Sequence, residues 1–217
     1  MSSDFRYLVL RLSGPMQSWG FDSEHNQRNS ALFPTKSALA GMCCAALGLT
    51  RGCSREREFL EQFQRVRMLA IDLAGNRTGR LKDFHTVQNT ITAERDIKDC
   101  HITHRVYLTD AEFAIILEGD SSLMETLGAA LANPVWGLWL GRKSCIPSAP
   151  VFCGVKSSRE EAVTTAIGTC DLNSFASQED AATFSEGSDS LQDNALCFDS
   201  EKRRFSARRI RMHRGKN

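Results

Sequence analysis

Four apolar, strand-like runs alternate with two helix-period segments up to Leu140, and that order leaves few folds open. Phe5 to Leu12 is the first strand, interrupted near its end by Arg11 and stopped by Ser13-Gly14-Pro15, a turn signature. Phe33-Pro34-Thr35 opens a helix, with Thr35 placed to cap free amides. Its apolar positions run through Leu39, Met42, Cys43, Ala46 and Leu47 to a stop at Gly48. After a short charged helix at Arg55–Gln64, Val66 to Leu73 forms a second strand and Gly75–Gly79 a turn. A polar excursion precedes a strong strand at Arg105–Glu118. Ser122-Leu-Met-Glu125 is a capping box for a helix ending at Asn133-Pro134, and Val135–Leu140 supplies the fourth strand.

This order is the βαββαβ pattern of α+β, ferredoxin-like folds and of RNA-recognition modules. It predicts a ferredoxin-like domain over residues 1–150, from which residues 82–105 protrude as a thumb-like hairpin. Residues 151–217 form a C-terminal β extension: Ser174–Gln192 as a mobile acidic loop, then a closing hairpin over Cys197–Met212 with Phe198, Phe205 and Ile210 inward.

No run approaches the roughly 20 apolar residues of a membrane span, and Met1-Ser2-Ser3-Asp4 does not read as a signal peptide. The eight cysteines include the adjacent Cys43-Cys44 and no CxxC pair, so reduced, mostly buried thiols in a cytoplasm are expected, with no membrane partner. Net charge is only +1, yet Asp171–Ser200 holds seven acidic and no basic residues, and Glu201–Asn217 eight basic and one acidic. Either the basic arm meets a polyanion or the two segments neutralise each other.

Three loops carry candidate chemistry. Gly14-Pro-Met-Gln17-Ser18-Trp19-Gly20 sets two hydrogen-bonding side chains and an indole between glycines, suited to bases or phosphates and to close approach of another backbone. Thr35-Lys36-Ser37 opens a helix, where free amides, the dipole and a lysine favour phosphate, although the Walker spacing is absent. Gly141-Arg142-Lys143-Ser144, pinned by Pro147 and Pro150, offers adjacent cations, with Arg142 as a bidentate fork. Cys100-His101-x-x-His104 lacks the partner pair of a structural zinc site, so neither a metal nor another cofactor is expected. His85, His101, His104, Tyr7 and Tyr107 leave open acid–base chemistry for metal-independent RNA cleavage.

Taken together and in order, "LRLSGPMQSWG", "FPTKSALAGMCCAALG", "DFHTVQN", "ITHRVYLTDAEFAIIL", "LGRKSC" and "FSARRIRM" resemble the CasD family. That is the handle-binding subunit family of type I-E CRISPR Cascade, in the RAMP superfamily. The resemblance spans most of the chain and is weakest from Val155 to Leu196; Ile146 and "VWGLWLG" depart from it. It implies a non-catalytic RNA-binding subunit that caps the 5′ handle of the crRNA. Such a subunit joins the backbone subunit CasC and the large subunit CasA in a complex that engages target DNA for antiviral defence. The alternative is a metal-independent endoribonuclease acting on repeat RNA. The RNA-binding residues then expected are Gln17, Ser18, Trp19, Arg28, Thr35, Lys36, Ser37, His85, Gln88, His104, Arg105, Tyr107, Arg142, Lys143, Ser144, Arg208, Arg209 and Arg211.

Overall fold

The computed structural model describes residues 4–24, 26–91, 95–199 and 201–215. β1 (Phe5–Ser13) is followed by the short β2 (Met16–Gln17) and β3 (Gln27–Arg28), then α1 (Lys36–Ala46), α2 (Ser54–Phe63) and β4 (Arg67–Asp72). Next come β5 (Gly79–Ile91), β6 (Ile97–Thr109), β7 (Glu112–Asp120) and α3 (Ser121–Ala132). β8 (Phe152–Lys156), α4 (Arg159–Ile167), β9 (Ser177–Asp180), β10 (Asp189–Cys197) and β11 (Arg204–His213) complete the chain.

Seven strands form one sheet in the order β10-β11-β9-β4-β7-β1-β8. Its paired neighbours all run antiparallel. The inner strands are apolar on both sides because both faces are covered, which is why β1 and β7 read as nearly unbroken apolar runs. Leu8, Leu10, Leu12, Phe113, Ile115 and Leu117 meet α1 and α3 in the larger core cluster. Val9, Leu69, Ile71, Ala114 and Ile116 meet Ala162 and Ala166 of α4 on the other face. Each fully buried leucine or isoleucine contributes on the order of 1.5–3 kcal/mol.

Several sequence expectations need correction. Val135–Leu140 is not a strand; its amides turn to the end of α1, Val135 donating to Ala46 O (3.0 Å) and Trp136 to Ala45 O (3.2 Å). Helix-end carbonyls need such donors, and they outcompete sheet pairing here. The strand beside β1 is β8 instead, hidden in the sequence by its five-residue length and by Gly154 at φ 138°. Arg105–Glu118 is two strands, because Asp110 turns the chain at φ 54°. The α3 cap is Asp120, which accepts from Ser122 N at 3.0 Å, rather than Ser122. The stretch expected to be a mobile loop holds β9, and β9 pairs with β4, so residues beyond 150 extend the main sheet.

Outside that sheet, β5 and β6 pair antiparallel from Gly79↔Thr109 to Ile91↔Ile97. This is the hairpin expected at 82–105, longer at its base; its tip, 92–94, lies outside the described residues. Met16-Gln17 and Gln27-Arg28 pair along the other edge of β6, close to the hairpin's root.

Candidate nucleic-acid interface

The glycine-flanked loop after β1 is turned inward. Gln17 is fully buried and donates its amide hydrogens to Leu12 O (3.1 Å) and Ala111 O (2.7 Å). Its Oε1 accepts from Trp19 Nε1 at 3.1 Å, and Trp19 is itself fully buried. Ser18 Oγ donates to Val106 O at 3.1 Å. The polar groups of Gln17 and Trp19 are satisfied within the fold, as buried polar groups must be, while Ser18 also lines the cleft along α1.

Close backbone approach does occur, but to the chain's own residues 140–146. Ser18 N donates to Leu140 O at 3.0 Å. A Cβ on Gly141, which sits at φ 96°, would lie 1.8 Å from Ser18 O, and one on Gly14 would lie 2.8 Å from Ile146 O. The two glycine-bearing loops interlock in this way.

Arg142 is the clamp over that junction. Its guanidinium donates to Arg28 O (3.0 Å) and Val106 O (3.4 Å) and stacks 4.6 Å above the ring of Tyr107, which is buried beneath it. Its fork binds two carbonyls of the fold rather than a phosphate. Lys143 and Ser144, next along the loop, are exposed.

The helix start has its own anion. Thr35 caps α1 by accepting from Ala38 N, with Ser37 Oγ 3.3 Å from Thr35 Oγ1. Lys36 N donates to Asp193 Oδ2 at 2.8 Å. Lys36 Nζ is buried and reaches Gln64 O (3.2 Å) and Asp180 Oδ2 (3.5 Å). Burial pulls the Lys36 pKa below its ordinary value, against the pull of Asp180.

Arg208 closes the same cluster, bonding Asp193 through Nε (2.6 Å) and Nη2 (2.9 Å), and Asp180 through Nη1. Burial opposes its charge, yet Asp193 and Asp180 hold its pKa above the usual arginine value. Arg209 stacks 4.2 Å from the ring of Phe184 and bonds Ser190 Oγ at 3.0 Å, while Arg211 pairs with Glu179 at 3.1 Å. Arg208 and Arg211 of the closing strand are thus paired with carboxylates of the acidic segment before it. Lys36 and Arg208 are buried and spent on these carboxylates, whereas Arg209 is half-buried and Arg211 exposed.

On the hairpin, strand register divides the expected residues. Phe84 pairs with His104 and Gln88 with Cys100, placing His104 and Gln88 on one face. Asp83 pairs with Arg105 and His85 with Thr103, placing Arg105 and His85 on the other. His104 packs edge-on to Phe84 at 5.5 Å, and Arg105 Nε bonds Thr103 Oγ1 at 3.1 Å. His101 faces away from both Cys100 and His104, and among the described residues no group of three or more His, Cys, Asp or Glu could hold a metal ion. Tyr7 lies on the main sheet, where burial and then Glu118 raise its pKa. Ile91 and Ile97 are 76% and 71% exposed, and Phe84 is also open to solvent. Arg28, paired with Arg105 through backbone, brings β3 against the hairpin's root.

A cleft of about 710 Å³ lies along α1 and brings together Ser18, Thr35, Ser37 and Lys143 of the expected residues, while its aromatic lining was not anticipated. Trp136 and Trp139 line it, as do Phe198, Phe205, Lys143, Arg51 and Arg203. The tryptophans in "VWGLWLG" were the available signal, but the apolar run around them reads as a strand. Burial pushes the Cys44 thiol on its α1 wall up to about 12, helped by the charge of Glu56.

Residues 7–211 match the sequence profile of the family described as CRISPR-associated protein (Cas_Cas5). The curated "CRISPR system Cascade subunit CasD" of Escherichia coli (strain K12) is 34% identical over 157 residues, 68% of this chain and 70% of that protein. A chain of a solved "CRISPR RNA-guided surveillance complex" superposes with a TM-score of 0.75 at 28% identity, covering 95% of this chain and 88% of that one. A "Crystal structure of Cas protein" gives 0.67 at 29% identity, covering 95% and 93%.

Proposed function

The chain belongs to the CRISPR-associated Cas5 family, and from that premise we propose that it is a non-catalytic RNA-binding subunit of a type I-E Cascade. In this reading it holds the 5′ handle of the crRNA and joins the backbone subunit CasC to the large subunit CasA in a prokaryotic cytoplasm. The likeness to the curated CasD and to the surveillance-complex chain supports the assignment to Cascade. The strand order β4-β7-β1-β8, with α1 and α3 against one face, supports reading the core as ferredoxin-like.

The observation that carries the RNA reading is the hairpin. Two thirteen-residue strands leave the main sheet and present Phe84, Ile91, Ile97 and Ile102 to solvent. Exposed apolar side chains on an arm of that length call for another body against them. Gln88 and His104 serve one face of the arm, His85 and Arg105 the other, and Lys143 and Ser144 stand on the interlocked loop near its root. Gln17, Ser18, Trp19, Arg142 and Tyr107 position that root without touching RNA. For the endoribonuclease alternative, His85 and His101 share one face of the hairpin, while His104 lies on the other and Tyr107 is covered by Arg142.

Co-expression with partner subunits and a guide RNA tests this directly. The chain is expected to co-purify with guide carrying the native handle and to be lost when the handle is permuted. Equal retention with both guides would contradict handle binding.

A further inference from the structure

The acidic segment before the closing strand is only partly used inside the fold. Asp180 and Asp193 bond Arg208, and Glu179 bonds Arg159 and Arg211. The connection from β9 to β10, residues 181–188, has no such role. Phe184 within it is 76% exposed. Glu186 and Asp189 beside it are exposed too and, among the described residues, form no ion pair.

Exposed loop tips are ordinarily loose. This one is fastened by Arg209 of β11. The guanidinium stacks 4.2 Å from the Phe184 ring and donates through Nε to Phe184 O (3.3 Å), through Nη1 to Ser190 Oγ (3.0 Å) and through Nη2 to Gly187 O. A Cβ on Gly187 would lie 2.8 Å from Arg209 Nε, so glycine is what lets the guanidinium pass. Both ends of the loop are tied to the backbone of the same strand, Ala181 N to Arg209 O (3.0 Å) and Ser188 N to Ile210 O (2.8 Å). One exposed apolar side chain needs no explanation by itself. Ordering a whole loop costs conformational entropy, and the fold gains little burial of Phe184 in return.

Register fixes where the loop stands. β9 pairs with β4 from Ile71↔Ser177 to Leu69↔Glu179, so the loop leaves the sheet where β4 begins. The hairpin follows the other end of β4.

We propose that residues 181–188 form a docking knob for a neighbouring protein subunit of the complex. Phe184 enters an apolar pocket on that subunit, and Glu186 and Asp189 meet lysine or arginine on the pocket's rim. The two carboxylates repel a nucleic-acid backbone and select a basic protein surface. An aromatic anchor already held in place loses little freedom on binding, and an aromatic side chain filling a desolvated pocket is a common interface hot spot. The proposal rests on the reading of the chain as an assembly subunit. It assigns a protein contact to the end of the sheet away from the hairpin, in the segment where the family resemblance is weakest.

The test titrates the full chain, free and loaded with guide RNA, with the large subunit and the backbone subunit purified separately. Phe184→Ser should leave the urea midpoint and guide retention unchanged and weaken one of the two protein contacts about 30-fold, the loss expected for a hot-spot anchor. Glu186→Lys with Asp189→Lys should weaken the same contact and reverse its salt dependence, so that added salt strengthens binding. Unchanged affinity for both subunits in these variants would overturn the knob and leave handle binding standing. Guide retention lost in Phe184→Ser, with both protein contacts intact, would also overturn it and assign the loop to RNA. Self-association of the unmodified chain that Phe184→Ser abolishes, with both subunit contacts intact, would overturn it in favour of a second copy. An unmodified chain that binds both subunits but retains no guide would overturn the handle reading alone, because the knob is read on the free chain as well.

Discussion

At the scale of single residues, the glycine-flanked loop shows how a polar cluster can serve the fold while resembling a binding site. Gln17 bridges β1 to Ala111 at the turn before β7 and also bonds Trp19, so its loss leaves buried groups without partners. Gln17→Ala is expected to destabilise the chain by about 1–3 kcal/mol in urea titration. The same variant should leave handle preference unaltered in whatever fraction remains folded. Gly141→Ala is expected to be worse than an ordinary surface change, because a Cβ there would stand 1.8 Å from Ser18 O on a φ of 96°. Its urea midpoint should fall well below that of a control such as Ser144→Ala. The sequence suggested that another backbone could approach these glycines. It could not show that the approaching backbone is the chain's own, since that contact joins residues more than a hundred positions apart.

At the scale of elements, the hairpin is held at its root and open along its length. β2 and β3 pair only with His104–Thr109 of β6, so the distal strands rely on each other. A two-stranded arm without a packed face is marginal in water. Amide exchange in the isolated chain is therefore expected to be fast over 84–91 and 97–102, slower over 105–109, and slowed throughout on assembly. Strong distal protection in the free chain would contradict this.

The closing strand behaves in the opposite way. Arg208 links β11 through Asp180 and Asp193 to the start of α1. Removing one partner leaves uncompensated buried charge, so Arg208→Ala is expected to cost about 3–5 kcal/mol, read by denaturant unfolding. Charge alternation along the strand was plain in the sequence, but which arginines turn inward depends on how β9, β10 and β11 pair. α4 was not read from the sequence, although its cap Ser158, which accepts from Glu161 N at 3.2 Å, and its stop Gly168 at φ 66° were signals for it. Its Thr-rich middle concealed it.

At the scale of the whole molecule, a near-zero net charge hides pairing within the chain rather than an absence of electrostatics. Glu179 shows how this couples to pH. Burial alone would raise its pKa, but Arg159 at 2.7 Å and Arg211 at 3.1 Å bring it below the ordinary glutamate value. A carboxylate with a depressed folded pKa contributes stability above its unfolded pKa, and loses it as pH falls through the folded value. Glu179→Gln is therefore expected to lower stability at neutral pH and to shrink the loss on acidification, measured as urea midpoint against pH. An unchanged acid limb would remove Glu179 from this role.

Ultraviolet crosslinking tests handle binding most directly. A guide RNA with photoreactive nucleotides in its 5′ handle is assembled with the chain and its partner subunits in EDTA, and the crosslinked peptides are mapped. The expected result is intact RNA with crosslinks on the hairpin at 79–109 and on the loop at 141–144. Crosslinks confined to other subunits, or a guide cut at the handle boundary by this chain alone, would contradict a non-catalytic handle-binding subunit.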